Sequence, residues 1–169
     1  MNLLESLRED HRRLLRIMER LDGKVLGTAR RVAESGDGRG AESEPIEILE
    51  LLVREVTRHE EEEIRCLFPA LLLHAPELEG ILRVMDEDHG VIARIAHGLW
   101  KEPPEVKRSP TWLILGVTRI ANILRSHIAR EEAEIYLAAE RLIPKEELER
   151  LGQKARRIRR RRDPWSHAT

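Results

Sequence analysis

Cysteine is nearly absent from this sequence. Cys66 is the only one in 169 residues, which excludes an intrachain disulfide, a CxxC redox pair and a thiolate zinc cage. Any metal site must therefore be built from histidine and carboxylate. Aromatic residues make up only 3%, and no run of alternating β-branched residues occurs, so there is little from which to build a sheet. No apolar run approaches the length that spans a bilayer, and Glu5, Arg8, Glu9 and Asp10 crowd the opening turns, where a secretory signal would be apolar. A cytoplasmic protein without a membrane partner is expected. A formal net charge of -1 gives no overall pull toward nucleic acid. Gln153 is the only glutamine and Asn2 and Asn122 the only asparagines, a bias reported for heat-adapted proteins.

Charged residues, by contrast, make up 36%, and Leu, Ile, Glu and Arg recur throughout. This length and composition predict one all-α domain. Breakers divide it into five helical stretches. The first runs from about Asn2 to Glu34 and ends in the glycine-rich loop Ser35 to Gly40. The second begins near Pro45 and reaches a break at Phe68-Pro69, with a short apolar continuation to His74. Pro76 opens the third, which lasts to about Lys101; Ser109-Pro110 caps the fourth, which reaches Leu142. Pro144 starts a shorter, very polar fifth helix. The expectation is an up-down-up-down antiparallel four-helix bundle over residues 1–143, followed by a polar helix and basic tail over 144–169.

The apolar spacing has the steps of three and four that a core-facing helix seam requires. The seams are Leu4, Leu7, His11, Leu14, Met18, Leu21 and Val25; Leu49, Leu52, Val56, His59, Glu63 and Cys66; Leu78, Leu82, Met85, His89, Ile92, Ala96 and Leu99; and Leu113, Val117, Ile120, Leu124, His127, Glu131 and Ile135. A histidine interrupts each seam, and in the second and fourth a glutamate follows one turn later. The pattern is duplicated. Asp10-His11 with Arg16-Ile17 matches Asp88-His89 with Arg94-Ile95, and His59, Glu63, Leu67 and Phe68 match His127, Glu131, Ile135 and Tyr136. Two hairpins related by a pseudo-twofold axis would bring the four histidines to one level.

His and Glu four residues apart share a helix face and can reach one point between helices. A lone seam histidine is more often a hydrogen-bonded core residue than a ligand, and the run His59-Glu60-Glu61-Glu62-Glu63 taken alone reads as a solvated face. Duplication changes the weighting. Buried carboxylates cost several kcal/mol unless paired or bound to a cation, so six polar seam residues at matching levels call for a common partner. Two metal ions provide one, since imidazole suits iron and carboxylates can bridge cations. Four nitrogens and both oxygens of two glutamates, with an oxo or hydroxo bridge, leave about one open position on each of two roughly six-coordinate ions. Such positions suit oxygen, nitric oxide, peroxide or water.

These residues resemble the hemerythrin-like, or HHE cation-binding, family. The similarity runs from Asp10-His11 to Tyr136 and includes HEEEEIRCLFP at His59 to Pro69 and HIAREEAEIY at His127 to Tyr136. The resemblance implies a carboxylate-bridged di-iron centre with two iron ions, or other divalent metals, held by His11, His59, Glu63, His89, His127 and Glu131. Oxygen-carrying hemerythrins have a second histidine where this chain has Ala93, and an aspartate at a five-residue spacing where this chain has Glu131 at four. The set is closer to hemerythrin-like domains of iron-sulfur-cluster repair and of iron- or oxygen-sensing proteins. The ferritin-like Glu-x-x-His signature is missing before His11, His59 and His127, where Arg8, Val56 and Leu124 stand.

The function expected is binding or sensing of O2, NO or iron at the two-metal centre. An enzyme acting on peroxide or nitric oxide, a cluster-repair factor and an interaction module using the basic tail remain as alternatives. With no proton relay or nucleophile beyond the ligands, a non-enzymatic role is favoured. His74, His97 and His167 are read as lying outside the site, and Cys66 as apolar packing. Glu60 and Glu132 read as helix face with a second role beside the ligands in reserve, and Tyr136 as packing with a hydrogen bond in reserve. The seven basic residues from Lys154 to Arg162 read as a solvated helix end, and nucleic acid is not an expected partner.

Overall fold

The first helix opens on Asn2, whose side-chain Oδ1 accepts the Glu5 N–H at 2.9 Å while Glu5 Oε2 accepts the Asn2 N–H at 2.8 Å. This reciprocal pairing satisfies two donors that a helix start leaves free. In the computed structural model, which describes residues 1–35, 43–101 and 110–162, the result is α1, Leu3–Ser35. There follow α2 (Ser43–Glu62), a π-helical turn (Glu63–Leu67), α3 (Phe68–His74), a 3-10 turn (Pro76–Leu78) and α4 (Glu79–Lys101). Then come α5 (Pro110–Arg130), a second π-helical turn (Glu131–Ile135), α6 (Tyr136–Leu142) and α7 (Lys145–Arg162). The predicted glycine loop beyond Ser35, the Ser109 cap, Trp165 and His167 lie outside the described residues.

The protein is all-α, and the long helices form a ring of antiparallel neighbours. Lys24 on α1 meets Glu44 on α2 at 2.6 Å, while at the other end of that pair His11 lies beside His59. Asp22 and His11 on α1 meet Arg125 and Glu132 on the last long segment, in reversed order along the chain. Between α4 and α5, Asp88 approaches His127, and Gly116 lies so close to Leu99 that a Cβ there would fall 2.5 Å from Leu99 Cδ2. No helix among the described residues is long and apolar enough to cross a membrane.

The seams predicted from spacing are buried throughout except at Leu78, which is only partly covered because the chain turns at Pro76–Leu78 before α4 begins. The apolar core divides in two. One cluster gathers Leu14, Met18, Leu21, Leu49, Leu52, Ile92 and Leu124, the other Leu4, Leu7, Leu67, Leu71, Met85 and Tyr136. On every long helix the polar seam residues fall between a member of the first cluster and a member of the second.

The chain does not break at Phe68-Pro69 as its proline suggested. It stays helical because the turn before it is wide: the Phe68 N–H bonds to the Glu63 carbonyl five residues earlier, and Pro69 falls in the first turn of the segment that starts afresh. The fifth helix is also less marginal than its charge implied. α7 is 18 residues long and lays Leu148 and Ala155 against the second apolar cluster, with Gly152 packed so closely that a Cβ would lie 2.9 Å from the Leu3 nitrogen.

Leu21 is fully buried and Leu26 is 66% exposed on the same helix. Leu21→Ala should therefore lower unfolding stability by about 2–5 kcal/mol in urea denaturation. Leu26→Ala should stay within about 0.5 kcal/mol of the parent.

Candidate metal centre

Four histidine rings and two glutamates meet in the band between the two apolar clusters, and all six residues are at most 2% exposed. α1 supplies His11, α2 supplies His59, α4 supplies His89 and α5 supplies His127. The glutamates sit at the first residues of the two π-helical turns. Such turns insert one residue into the helical spiral and are frequent where a side chain must be re-aimed.

The histidines form two pairs. His11 and His59 have ring centroids 4.6 Å apart and facing Nε2 atoms 3.0 Å apart, and His89 and His127 have centroids 4.4 Å apart. Each glutamate addresses both pairs. Glu63 places Oε1 3.4 Å from His59 Nε2 and Oε2 3.8 Å from His89 Nε2. Glu131 places Oε2 3.2 Å from His11 Nε2 and Oε1 3.2 Å from His127 Nε2. The donor atoms of the six fall into two groups that could hold a metal ion, His11, His59, Glu63 and Glu131 in one and Glu63, His89, His127 and Glu131 in the other; farther out, Glu60 and Asp86 form a third such group with His89.

Polar satisfaction is incomplete in a way that suits a cation. His89 Nε2, His127 Nε2, Glu63 Oε2 and Glu131 Oε1 are buried and without a hydrogen bond of acceptable geometry. A buried orphan polar atom is costly, and four aimed at one point form an all-acceptor set once the imidazoles are neutral at Nε2. That chemistry fits a metal ion.

The other ring nitrogens face carboxylates. His11 Nδ1 lies 2.9 Å from Glu132 Oε1 and His127 Nδ1 3.5 Å from Asp88 Oδ2. His89 Nδ1 lies 3.9 Å from Glu60 Oε1 and His59 Nδ1 4.0 Å from Asp10 Oδ2. Only the His11 contact is a hydrogen bond, which favours the tautomer that leaves Nε2 free to coordinate and orients that ring; at the other three the carboxylate acts by its charge across a longer gap. Sequence reasoning held Glu60 and Glu132 in reserve for such contacts and passed over Asp10 and Asp88. The signal was there: these aspartates precede His11 and His89 at equivalent positions of the repeat. Tyr136 does more than pack. It is fully buried, stacks on His11, and its hydroxyl donates to Glu63 Oε1 at 2.7 Å. Cys66 is buried among apolar side chains, His97 is exposed, and His74 pairs with Glu147, so none of these joins the cluster.

The family model of the hemerythrin HHE cation binding domain matches residues 2–139. The chain belongs to this family. No curated protein and no solved structure matched it. Hemerythrin-family membership points to cation binding, and the buried His–Glu cluster lies within the matched span. The span ends before α7 begins.

The metal-free cluster has a definite electrostatic character. Burial pushes His59 toward the neutral form, but Glu63 and Glu131 outweigh it and hold its pKa well above the usual histidine value. Burial opposes and Glu131 raises His127 in the same way. Burial would raise Glu131, yet the hydrogen bond with His11 and the close imidazoles of His127 and His59 keep it well below the carboxylate range. At His89 burial wins and brings the pKa down to about 4. Burial, then the charges of Glu63 and Glu131, push Tyr136 well above its usual value, which keeps the hydroxyl a donor.

The sign of the pH dependence follows. Raised histidines stabilise the fold below their unfolded pKa and lose that contribution as pH rises through the folded value. His89 acts oppositely, because below about 6.5 the unfolded chain takes a proton that the folded one refuses down to about 4. The metal-free protein should therefore lose Tm on both sides of neutrality, and a bound divalent metal should remove the alkaline loss. Tm scans from about pH 5 to about pH 9 check this; a flat profile without metal would contradict it.

Proposed function

We propose that the protein holds two iron ions through His11, His59, Glu63, His89, His127 and Glu131, and that it binds or senses a small ligand, O2 or NO, or iron itself. The observation that carries this reading is the arrangement of the two glutamates, each of which turns one oxygen toward each histidine pair. Hydrogen bonding within a histidine cluster does not require such a division, whereas bridging of two cations does. His11 and His59 would hold one ion and His89 and His127 the other, with Glu63 and Glu131 common to both. When bound, the iron pair supplies redox chemistry and open coordination positions for a small ligand.

The chain's own side chains prepare the site for this. The carboxylates facing Nδ1 keep the four Nε2 atoms unprotonated once a cation competes for them. The apolar clusters on either side keep bulk water out, so a small neutral ligand is favoured over a charged one. Tyr136, the only tyrosine, places a hydroxyl beside Glu63 and His11, where it can donate a hydrogen bond at the edge of the pair. Phe68 stands at the matching place in the other half and has no hydroxyl. The two sides are thus chemically distinct.

Replacing His59 and His127 together by alanine removes one nitrogen from each ion. The double variant should lose both metals, with a drop in Tm relative to the loaded parent, because Glu63 and Glu131 then lack their cation. Elemental analysis and the absorption spectrum before and after exposure to air read the result. Unchanged metal content in the variant would refute the ligand assignment.

A further inference from the structure

The repeat that relates the two halves is inexact at several positions around the first π-helical turn. Aligning His59 with His127 sets Glu62 against Arg130, Arg65 against Ala133 and Pro69 against Leu137. Two of these differences, at Glu62 and Pro69, leave the first half short of something the second half has. In the second half, Arg130 lies one residue before Glu131 and approaches Asp88, the aspartate that faces His127. In the first half that place holds Glu62, a carboxylate that is fully buried. Leu137 keeps the backbone N–H that a helix offers to the carbonyl four residues earlier. Pro69 has none to give to Arg65.

α7 makes up both deficits. Arg159 donates from Nη2 to Glu62 Oε2 at 2.7 Å, and also bonds Glu62 Oε1 and Asp10 Oδ2. It thereby joins the residue before Glu63 to the aspartate that faces His59. Lys154 Nζ donates to the Arg65 carbonyl at 2.5 Å, inside the π-helical turn that begins at Glu63. Gly152 permits the approach, since any side chain there would strike the backbone of Asn2 and Leu3. The second π-helical turn has no such contact with α7 among the bonds recorded for the described residues. α7 also lies wholly outside the span that matches the family model.

We propose that Lys154 and Arg159 are positioning residues that hold the Glu63–Leu67 turn and the Asp10–His59 contact, so that the C-terminal helix sets the affinity of the His11/His59 half more strongly than that of the other half, which shares Glu63. Its metal clause rests on the reading given above; its structural clause does not. Removing Arg159 alone would strand a buried carboxylate, so the double variant Glu62→Gln with Arg159→Gln removes the tether without an unpaired charge. Lys154→Met removes the other contact, and Arg159→Lys is the conservative control.

Two measurements test it. In metal-free protein, hydrogen exchange of the Glu63–Leu67 amides should accelerate by roughly tenfold or more in the double variant and in Lys154→Met, while the Glu131–Ile135 amides stay as in the parent. In Co(II) titrations followed by visible absorption, one of two binding steps should weaken by about 10–100-fold and the other by clearly less, with partial recovery in Arg159→Lys. Unchanged exchange in both turns, equal acceleration of both, or equal weakening of both Co(II) steps would overturn the proposal. A parent protein that takes up no Co(II) would instead overturn the two-metal reading, and that is seen before any variant is made.

Discussion

Two carboxylates buried in the middle of an apolar bundle are the constraint on which the rest of the structure depends. Glu63 and Glu131 are fully inaccessible, and the layers above and below them are leucine, isoleucine and methionine. An ionised carboxylate in such a place costs several kcal/mol unless positive charge stands against it. Every long helix therefore brings one histidine to that level, and every histidine is itself faced by a carboxylate on its far nitrogen. Beside His59 and His127 the charge alternates outward from acid to imidazole to acid to arginine, through Asp10 to Arg13, Arg58 and Arg159 and through Asp88 to Arg130. The carboxylate pKa below its ordinary range at Glu131 and the raised histidines beside it express the same balance in the metal-free protein.

The two π-helical turns are the local device that satisfies this constraint. A regular helix carrying His and Glu four residues apart stacks them one above the other. The extra residue in the turn that starts at each glutamate alters the spiral there, and each carboxylate ends with one oxygen on either histidine pair. A wide turn has weaker local bonding than the helix around it, so it needs support from elsewhere. Tyr136 supports one from inside, through Glu63, and α7 supports the same one from outside. The internal symmetry of the chain is therefore exact enough to build a two-part site and broken enough to make its parts different.

Much of this was legible in the sequence. The steps of three and four on the seams marked the buried face residue by residue, and the duplicated His and HxxxE patterns brought together the six side chains that the structure gathers. The exceptions have physical reasons. Leu78 is only partly covered because Pro76 imposes a turn before the next helix starts. Phe68-Pro69 does not break the chain because the preceding wide turn places proline where no N–H is required, a local accommodation that proline's average behaviour does not announce. Arg159 was hidden within a run of basic residues, where periodicity cannot separate one arginine from its neighbours. Its role depends on which face of α7 meets α1, and only the Leu148, Gly152 and Ala155 spacing hinted at that.

An anomalous-scattering map of iron-loaded crystals tests the central claim most directly. The account predicts two iron peaks between the apolar clusters, one beside His11 and His59 and the other beside His89 and His127, each within about 2.0–2.3 Å of its histidine nitrogens. Glu63 and Glu131 would each span both peaks. A single peak, or iron only at the outer Glu60 and Asp86 carboxylates near His89, would contradict it and return the six residues to a structural role.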